Sequence, residues 1–300
     1  MYSRIKRIIN GGESYMNESK RPLSFKLFTI WRSAYPLLIY LAWSFAVSFA
    51  LSFIGSFILM YQSRGAMDPL QMSTELTEFL YRNMIPATIV TQLLTLPFVI
   101  WFYRRDKKKN PANTRKNEIR PLDTVLVVVL GISCCISLNG LIGYSHLSDL
   151  FPGFSDISPS LYKSSMILQI ISMVILAPIV EELLCRILCF DRLKEAFKPV
   201  TAMILSSLFF GLLHMNVVQG VYAFGIGMCF VLVYEKTRRI YIPMLAHGVA
   251  NAMSVLIARF SGERLFNLPL SIEIFVVVVC TIVLIGCITY FIRIRRNPAE

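Results

Sequence analysis

Residues 163–190 read KSSMILQIISMVILAPIVEELLCRILCF. From Met166 onward the stretch is mostly apolar, and its only charged residues are Glu181, Glu182 and Arg186. A bilayer core of ~30 Å needs about 20 helical residues at ~1.5 Å each, so this run is long enough to cross one. Moving outward, seven further blocks meet or approach that length, at roughly 36–61, 84–103, 123–144, 200–217, 219–235, 240–258 and 270–292. The blocks at 200–217 and 219–235 are short and separated by little polar sequence. The pattern predicts an all-α fold, a polytopic membrane helix bundle with about eight transmembrane helices.

Composition agrees. The 300-residue chain is 55% hydrophobic and 16% charged, against the roughly 25% charge of a soluble domain. Its net charge of +12 raises the question of nucleic acid. The basic residues flank apolar blocks, with no aromatic–basic interleaving, so no nucleic-acid binding is expected. Lys and Arg number seven before the first block, eight in 104–120, and three each near 191–199, 236–239 and 293–300. The other side holds Arg64, Arg82, Lys163, Arg259 and Arg264. Twenty-four against five predicts a cell-membrane protein with both termini in the cytoplasm. An even number of spans fits that orientation.

Residues 1–35 are largely polar and basic, so no cleavable signal peptide is expected. Within them and just beyond, RPLSFKLFTIWRSAYP at 21–36 reads either as an interfacial helix on membrane lipids or as a plain basic flank. All seven cysteines lie in apolar blocks; the odd count argues against a disulfide framework.

A charge inside a span costs several kcal/mol by most estimates, so each one needs a partner or a task. Three clusters stand out. In APIVEELLCR, 177–186, Glu182 and Arg186 stand at i, i+4 and can pair, whereas Glu181 points about 100° away with no partner on its own helix. Pro178 predicts a kink just before the carboxylates. In FFGLLHMN, 209–216, Phe210 and His214 share a face of the fifth span. In LAHGVAN, 245–251, His247 and Asn251 do the same, Ser254 extends that face, and Gly248 leaves room for a neighbouring helix or a ligand. Each cluster also has a plain structural reading: a Glu–Arg pair, a satisfied histidine, a polar interhelical clamp. The third histidine, His146, reads as an interfacial loop residue at the outer surface. Taken together, a free carboxylate, two histidines and an asparagine can bind and activate water. The soluble zinc-protease pattern H-E-x-x-H is absent.

The motifs Glu181-Glu182-x-x-x-Arg186, Phe210-x-x-x-His214 and His247-x-x-x-Asn251, in that order on membrane helices, resemble the CPBP (CAAX protease and bacteriocin-processing, Abi) family of intramembrane endopeptidases. The resemblance covers about 160–258. It implies an eight-span fold with a cavity open toward the cytosol or membrane, and hydrolysis of a membrane-associated protein or peptide. It assigns Glu181 to activating water, His214, His247 and Asn251 to holding that water and the oxyanion, and Glu182 and Arg186 to supporting the site. Zn²⁺ dependence is left open; Glu181, His214 and His247 would be its ligands. The chain accordingly divides into a basic tail at 1–35, three helices at 36–144, a catalytic core at 145–258, and a last helix with a basic tail at 259–300.

Two other classes compete. A non-catalytic immunity or scaffold protein would keep the fold but has no stated need for Glu181. A transporter would be expected to repeat its polar motifs, and no second copy occurs. One tension remains. Counted along ideal helices from the inner ends, Glu181 lies ~13 Å deep, His247 ~10 Å and His214 ~21 Å. The fifth helix must then be tilted or enter the bilayer later than residue 200.

Overall fold

The computed structural model describes residues 21–109, 118–151, 164–260 and 268–293. Residues 110–117 of the basic loop 104–120, the tail before residue 21 and the tail after residue 293 lie outside the described residues. The helices are α1 (Leu23–Gln62), α2 (Pro69–Arg82), α3 (Met84–Lys109), α4 (Pro121–Tyr144), α5 (Met166–Leu193), α6 (Pro199–Leu212), α7 (Val217–Thr237), α8 (Tyr241–Phe260) and α9 (Leu270–Arg293). Among the described residues there is no strand, and seven helices are long and apolar enough to cross a membrane. This is a multi-pass, all-α membrane bundle. The expected fifth span is the exception: α6 has 14 residues, about 21 Å of helix, short of a full bilayer crossing.

The first span begins earlier than its hydropathy suggests. Residues 23–35 continue without a break into the apolar run, giving a 40-residue helix, and Pro36 is accommodated inside it. Thr29 and Ser33 are buried, and each hydroxyl donates to the carbonyl four residues back. Phe25 and Leu37 are buried on the same portion of the helix. One stripe of the 21–36 stretch, at Phe25, Thr29, Ser33 and Pro36, is therefore buried, and from Leu23 on the stretch is part of α1 rather than a separate helix. Beyond Tyr40 the helix is mostly bare, and Phe45, Phe49, Phe53 and Phe57 form an exposed stripe suited to lipid.

The core lies between α4, α5, α7 and α8. Leu130, Cys134, Val180, Leu184, Leu188, Phe230, Ala246 and Ala250 meet there and are shielded from the surface. α4 packs on both α8 and α9, and α6 pairs with α7. The cysteines are free thiols used as small apolar residues.

One end of the bundle is tied by charge. Arg32 bonds Glu195 at 2.6 Å, Arg192 bonds Asp106 at 2.6 Å, Arg238 bonds Asp191 at 2.8 Å and Lys194 bonds Glu235 at 2.7 Å. Arg192 also donates to the Arg32 carbonyl. These contacts join α1, α3, α5 and α7 at the end where the sequence concentrates its basic residues. Several are partly buried, where an ion pair is screened less than at an open surface.

Close packing depends on particular glycines. A Cβ built on Gly131 would stand 2.5 Å from the Ala246 carbonyl oxygen and 3.1 Å from Val249 Cβ. Gly131→Val therefore separates α4 from α8, at about 1–3 kcal/mol for overpacking. The expected outcome is a lower melting temperature of the purified protein in detergent; an unchanged one would show that the two helices can part without cost.

Candidate active site

α5 is a broken helix. Its path runs as α-helix over Met166–Gln169, π-helix over Ile170–Leu176, α-helix over Ala177–Glu182, π-helix over Leu183–Phe190 and a last α-turn at Asp191–Leu193. Wide turns of this kind frequently occur at functional positions. Pro178 gives the first π segment a chemical consequence. The Ala177 N–H bonds the Ser172 carbonyl, five residues back. The next link in that register would run from residue 178 to Met173, and proline has no N–H to make it. The Met173 carbonyl is taken instead by Asn251, whose amide nitrogen donates to it at 2.7 Å. Gly248, one turn before Asn251, lets α8 come close: a Cβ there would stand 3.0 Å from the Val174 carbonyl and 3.9 Å from Pro178. Of the two uses expected for Gly248, room for a helix is the one realised.

The short α segment presents both carboxylates to α8. Glu182 is fully buried, as is Arg186. Arg186 grips Glu182 with two nitrogens, Nε at 2.7 Å and an Nη at 3.2 Å. The same carboxylate takes a third partner, His247 Nδ1, at 3.0 Å. An ionised carboxylate only accepts, so Nδ1 carries the proton and Nε2 is the free imidazole nitrogen. That Nε2 points to Glu181, 3.8 Å from its Oε2. The gap is longer than a hydrogen bond. Glu181 is the more open of the two glutamates, with 15% of its side chain exposed against 0% for Glu182. The pairing of Glu182 with Arg186 stands as expected, and Glu181 faces a histidine from another helix.

His247 is held between rings as well as by charge. Phe230 lies 5.4 Å away between centroids, and Phe210 meets the imidazole edge-on at 5.8 Å. Phe210 also packs edge-on against His214 at 5.2 Å and lies under the Arg186 guanidinium at 5.5 Å. A single ring thus separates the two histidines.

His214 is not inside a span. α6 ends at Leu212, His214 sits in the turn that follows, Met215 takes a positive φ of 52°, and the Asn216 side chain caps α7. The cause is a tight hairpin: a Cβ on Gly211 would stand 2.7 Å from the Gly220 carbonyl. The His214 Nδ1 donates to the Phe210 carbonyl at 2.9 Å, leaving Nε2 outward. Among the described residues neither His214 nor Asn251 makes a hydrogen bond or ion pair with either glutamate. Asn251 is engaged with backbone, one turn beyond His247. Ser254 continues that face and contacts Cys135 Sγ at 3.2 Å. His146 is exposed at the end of α4, bonded to Asp149 at 2.9 Å, as a loop residue should be.

A metal does not fit this arrangement. Among the described residues no group of three or more His, Cys, Asp or Glu side chains is placed to hold an ion. Glu181 and His247 Nε2 could supply two ligands, but His214 is turned to its own helix.

The comparisons with known proteins fall on this same region. Residues 163–253 match the family described as Rce1-like, the type II CAAX prenyl endopeptidases. The chain is similar to this family over under a third of its length. Over 89 residues it is 33% identical to "Putative membrane peptidase YdiL" of Bacillus subtilis (strain 168), covering 30% of this chain and 36% of that one. Over 170 residues it is 25% identical to the membrane-embedded CAAX protease MroQ of Staphylococcus aureus (strain USA300), covering 53% and 68%. No solved structure matches. The match to YdiL spans about a third of that relative, and the family match at 163–253 takes in the glutamates and His247.

Sequence reasoning missed the role of Phe230 and the tie from Asn251 to Met173. The first carries no signal, being one aromatic among many. The second had one: Pro178 must free a carbonyl, and Asn251 was a polar residue in need of a partner.

Arg186→Ala leaves Glu182 buried with its main countercharge gone, at roughly 3–5 kcal/mol. The variant should show markedly reduced membrane abundance on a quantitative blot and lower thermal stability after purification. Wild-type abundance and stability would mean that Glu182 does not need the guanidinium.

Proposed function

We propose that this chain is an intramembrane endopeptidase of the CPBP type in which Glu181 activates water for attack on a peptide bond of a membrane-associated protein or peptide. The observation that carries the reading is Glu181 facing His247 Nε2 across 3.8 Å, with His247 held from behind by the Glu182–Arg186 pair. One water molecule fits in hydrogen-bond contact with both. It gives one proton to Glu181, directs its other hydrogen to Nε2, and its oxygen adds to the scissile carbonyl carbon. The Glu181 carboxyl then returns its proton to the departing amine, which becomes the new N-terminus. Glu182 and Arg186 are positioning residues: they keep the Nδ1–H tautomer, so that Nε2 is available as acceptor. His214 and the second amide hydrogen of Asn251 are assigned to the oxyanion. No step runs through Zn²⁺.

The catalytic unit in this reading is the core expected at 145–258. Both termini are cytoplasmic in this reading, in which α6 and α7 form a hairpin that enters and leaves at the same side, and this places the Arg32–Glu195 and Arg192–Asp106 network at the inner surface. Asn110→Cys should resist an impermeant thiol reagent in intact cells and react once the membrane is opened. Reaction in intact cells would invert the topology.

General-base loss typically lowers a rate about 10²–10⁴-fold. Glu181→Gln keeps size and polarity but cannot take the proton. The variant should be inserted and stable, and should lose cleavage by that factor in a fragment-release assay with purified protein. Wild-type cleavage by Glu181→Gln would reject the mechanism. A cellular phenotype retained in full without detectable cleavage would favour the non-catalytic immunity or scaffold reading.

A further inference from the structure

A cavity of about 280 Å³ opens between α1, α2 and α3, outside the cluster of glutamates and histidine. Six of its lining residues carry hydroxyls: Tyr40, Ser44, Ser48, Ser52, Thr88 and Thr91. Ser44, Ser48 and Ser52 recur every fourth residue and so form one line along α1. The exposed phenylalanines at 45, 49, 53 and 57 form the adjacent line. α1 therefore offers an aromatic face to lipid and a hydroxyl face to the cavity. Leu80 of α2 and Met84 of α3 complete the walls.

Two observations connect this cavity to the candidate active site. Tyr40, at its end nearest the charged network, packs against the core cluster that includes Val180, Leu184 and Cys185 of α5, the stretch that carries Glu181. On the opposite wall, Thr91 lines the cavity while the next residue, Gln92, donates to the Ser172 carbonyl of α5 at 3.3 Å. Both walls thus end on the broken helix that carries the glutamates.

The geometry points to this cavity as the subsite for an extended, unlipidated peptide segment of the substrate, running along the Ser44–Ser52 line with its scissile end past Tyr40. The inference rests on the protease reading above and names its substrate class. An extended chain entering a bilayer brings N–H and C=O groups that no water satisfies, each costing several kcal/mol if left alone. A row of hydroxyls answers both kinds of group. A hydroxyl that donates back to its own helix, as Thr88 does to the Met84 carbonyl at 2.9 Å, still accepts from a peptide N–H. An isoprenoid chain has no such groups. It would displace solvent from six hydroxyls and return nothing, and hydrogen-bonding sites discriminate strongly against ligands that leave them unpaired.

The test uses the full chain in lipid nanodiscs. Six of the seven native cysteines are buried and Cys280 is half-buried, so Ser48→Cys on a Cys280→Ala background presents one accessible thiol to a charged methanethiosulfonate. The probes are a pool of unmodified ten-residue peptides rich in Gly, Ala and Ser, and farnesyl-cysteine methyl ester. The peptides should slow labelling at least about tenfold, and the farnesyl compound less than about twofold, as expected of a site that selects for hydrogen bonding. No labelling of Ser48→Cys, no protection by the peptides, or equal protection by the farnesyl compound would each overturn the proposal. Cleavage of the same pool by the wild type, lost in Glu181→Gln, separates the two readings. Cleavage without protection at residue 48 removes the cavity and leaves the protease; protection without cleavage does the reverse. As a second variant, Ser48→Leu fills the cavity from an exposed helix face. It should raise KM for a cleaved peptide about tenfold with kcat retained, the pattern of lost binding rather than lost chemistry.

Discussion

The carboxylate of Glu182 is the point on which the site depends. It is a full charge buried in a membrane protein, and it is tolerable because three donors meet it: two nitrogens of Arg186 and His247 Nδ1. Removing one member of such a set leaves an uncompensated charge, which is why buried pairs fail abruptly when broken. The arrangement also sets direction. By claiming the Nδ1 proton, Glu182 decides which face of His247 is basic and turns that face to Glu181. Two adjacent glutamates thereby acquire different tasks from their surroundings alone: one is sealed and paired, the other is partly open and meets a neutral nitrogen.

That division needs a helix that does not run evenly. In a regular helix the donor lost at Pro178 would leave a carbonyl orphaned in hydrocarbon. Here the π register delivers that carbonyl to Asn251, and Gly248 brings α8 within reach of the next one. The same approach sets His247 opposite the glutamates, since 247, 248 and 251 lie on one face of α8. Structure and site are coupled through a single backbone defect. The irregular backbone faces protein, which is where a membrane protein can tolerate it.

At 14 residues, α6 turns back through Gly211 and Gly220 and leaves His214 in the turn beside Phe210, whose ring also meets His247 and Arg186. At the far end, the Arg32, Asp106, Arg192 and Glu195 network holds α1 and α3 against α5. That bracing leaves the upper part of α1 free to line a cavity and to face lipid.

The class of the fold, the number and order of its apolar blocks, and the Glu182–Arg186 pair were legible in the sequence. Each follows from a local rule: about 20 apolar residues span a bilayer, and i, i+4 side chains meet on a helix. The motif residues were legible too, because charge in an apolar run demands a reason. Which nitrogen of His247 faces which glutamate, the placing of His214 in a turn, and the use of Asn251 on a backbone carbonyl were decided by tertiary structure. The reason is that each depends on the distance between helices far apart in the chain. Those distances are set by glycine contacts such as Gly248 against Val174 and Gly211 against Gly220, and by the register lost at Pro178. A local pattern can say that a polar residue needs a partner; the packing of α8 on a broken α5 determines who that partner is.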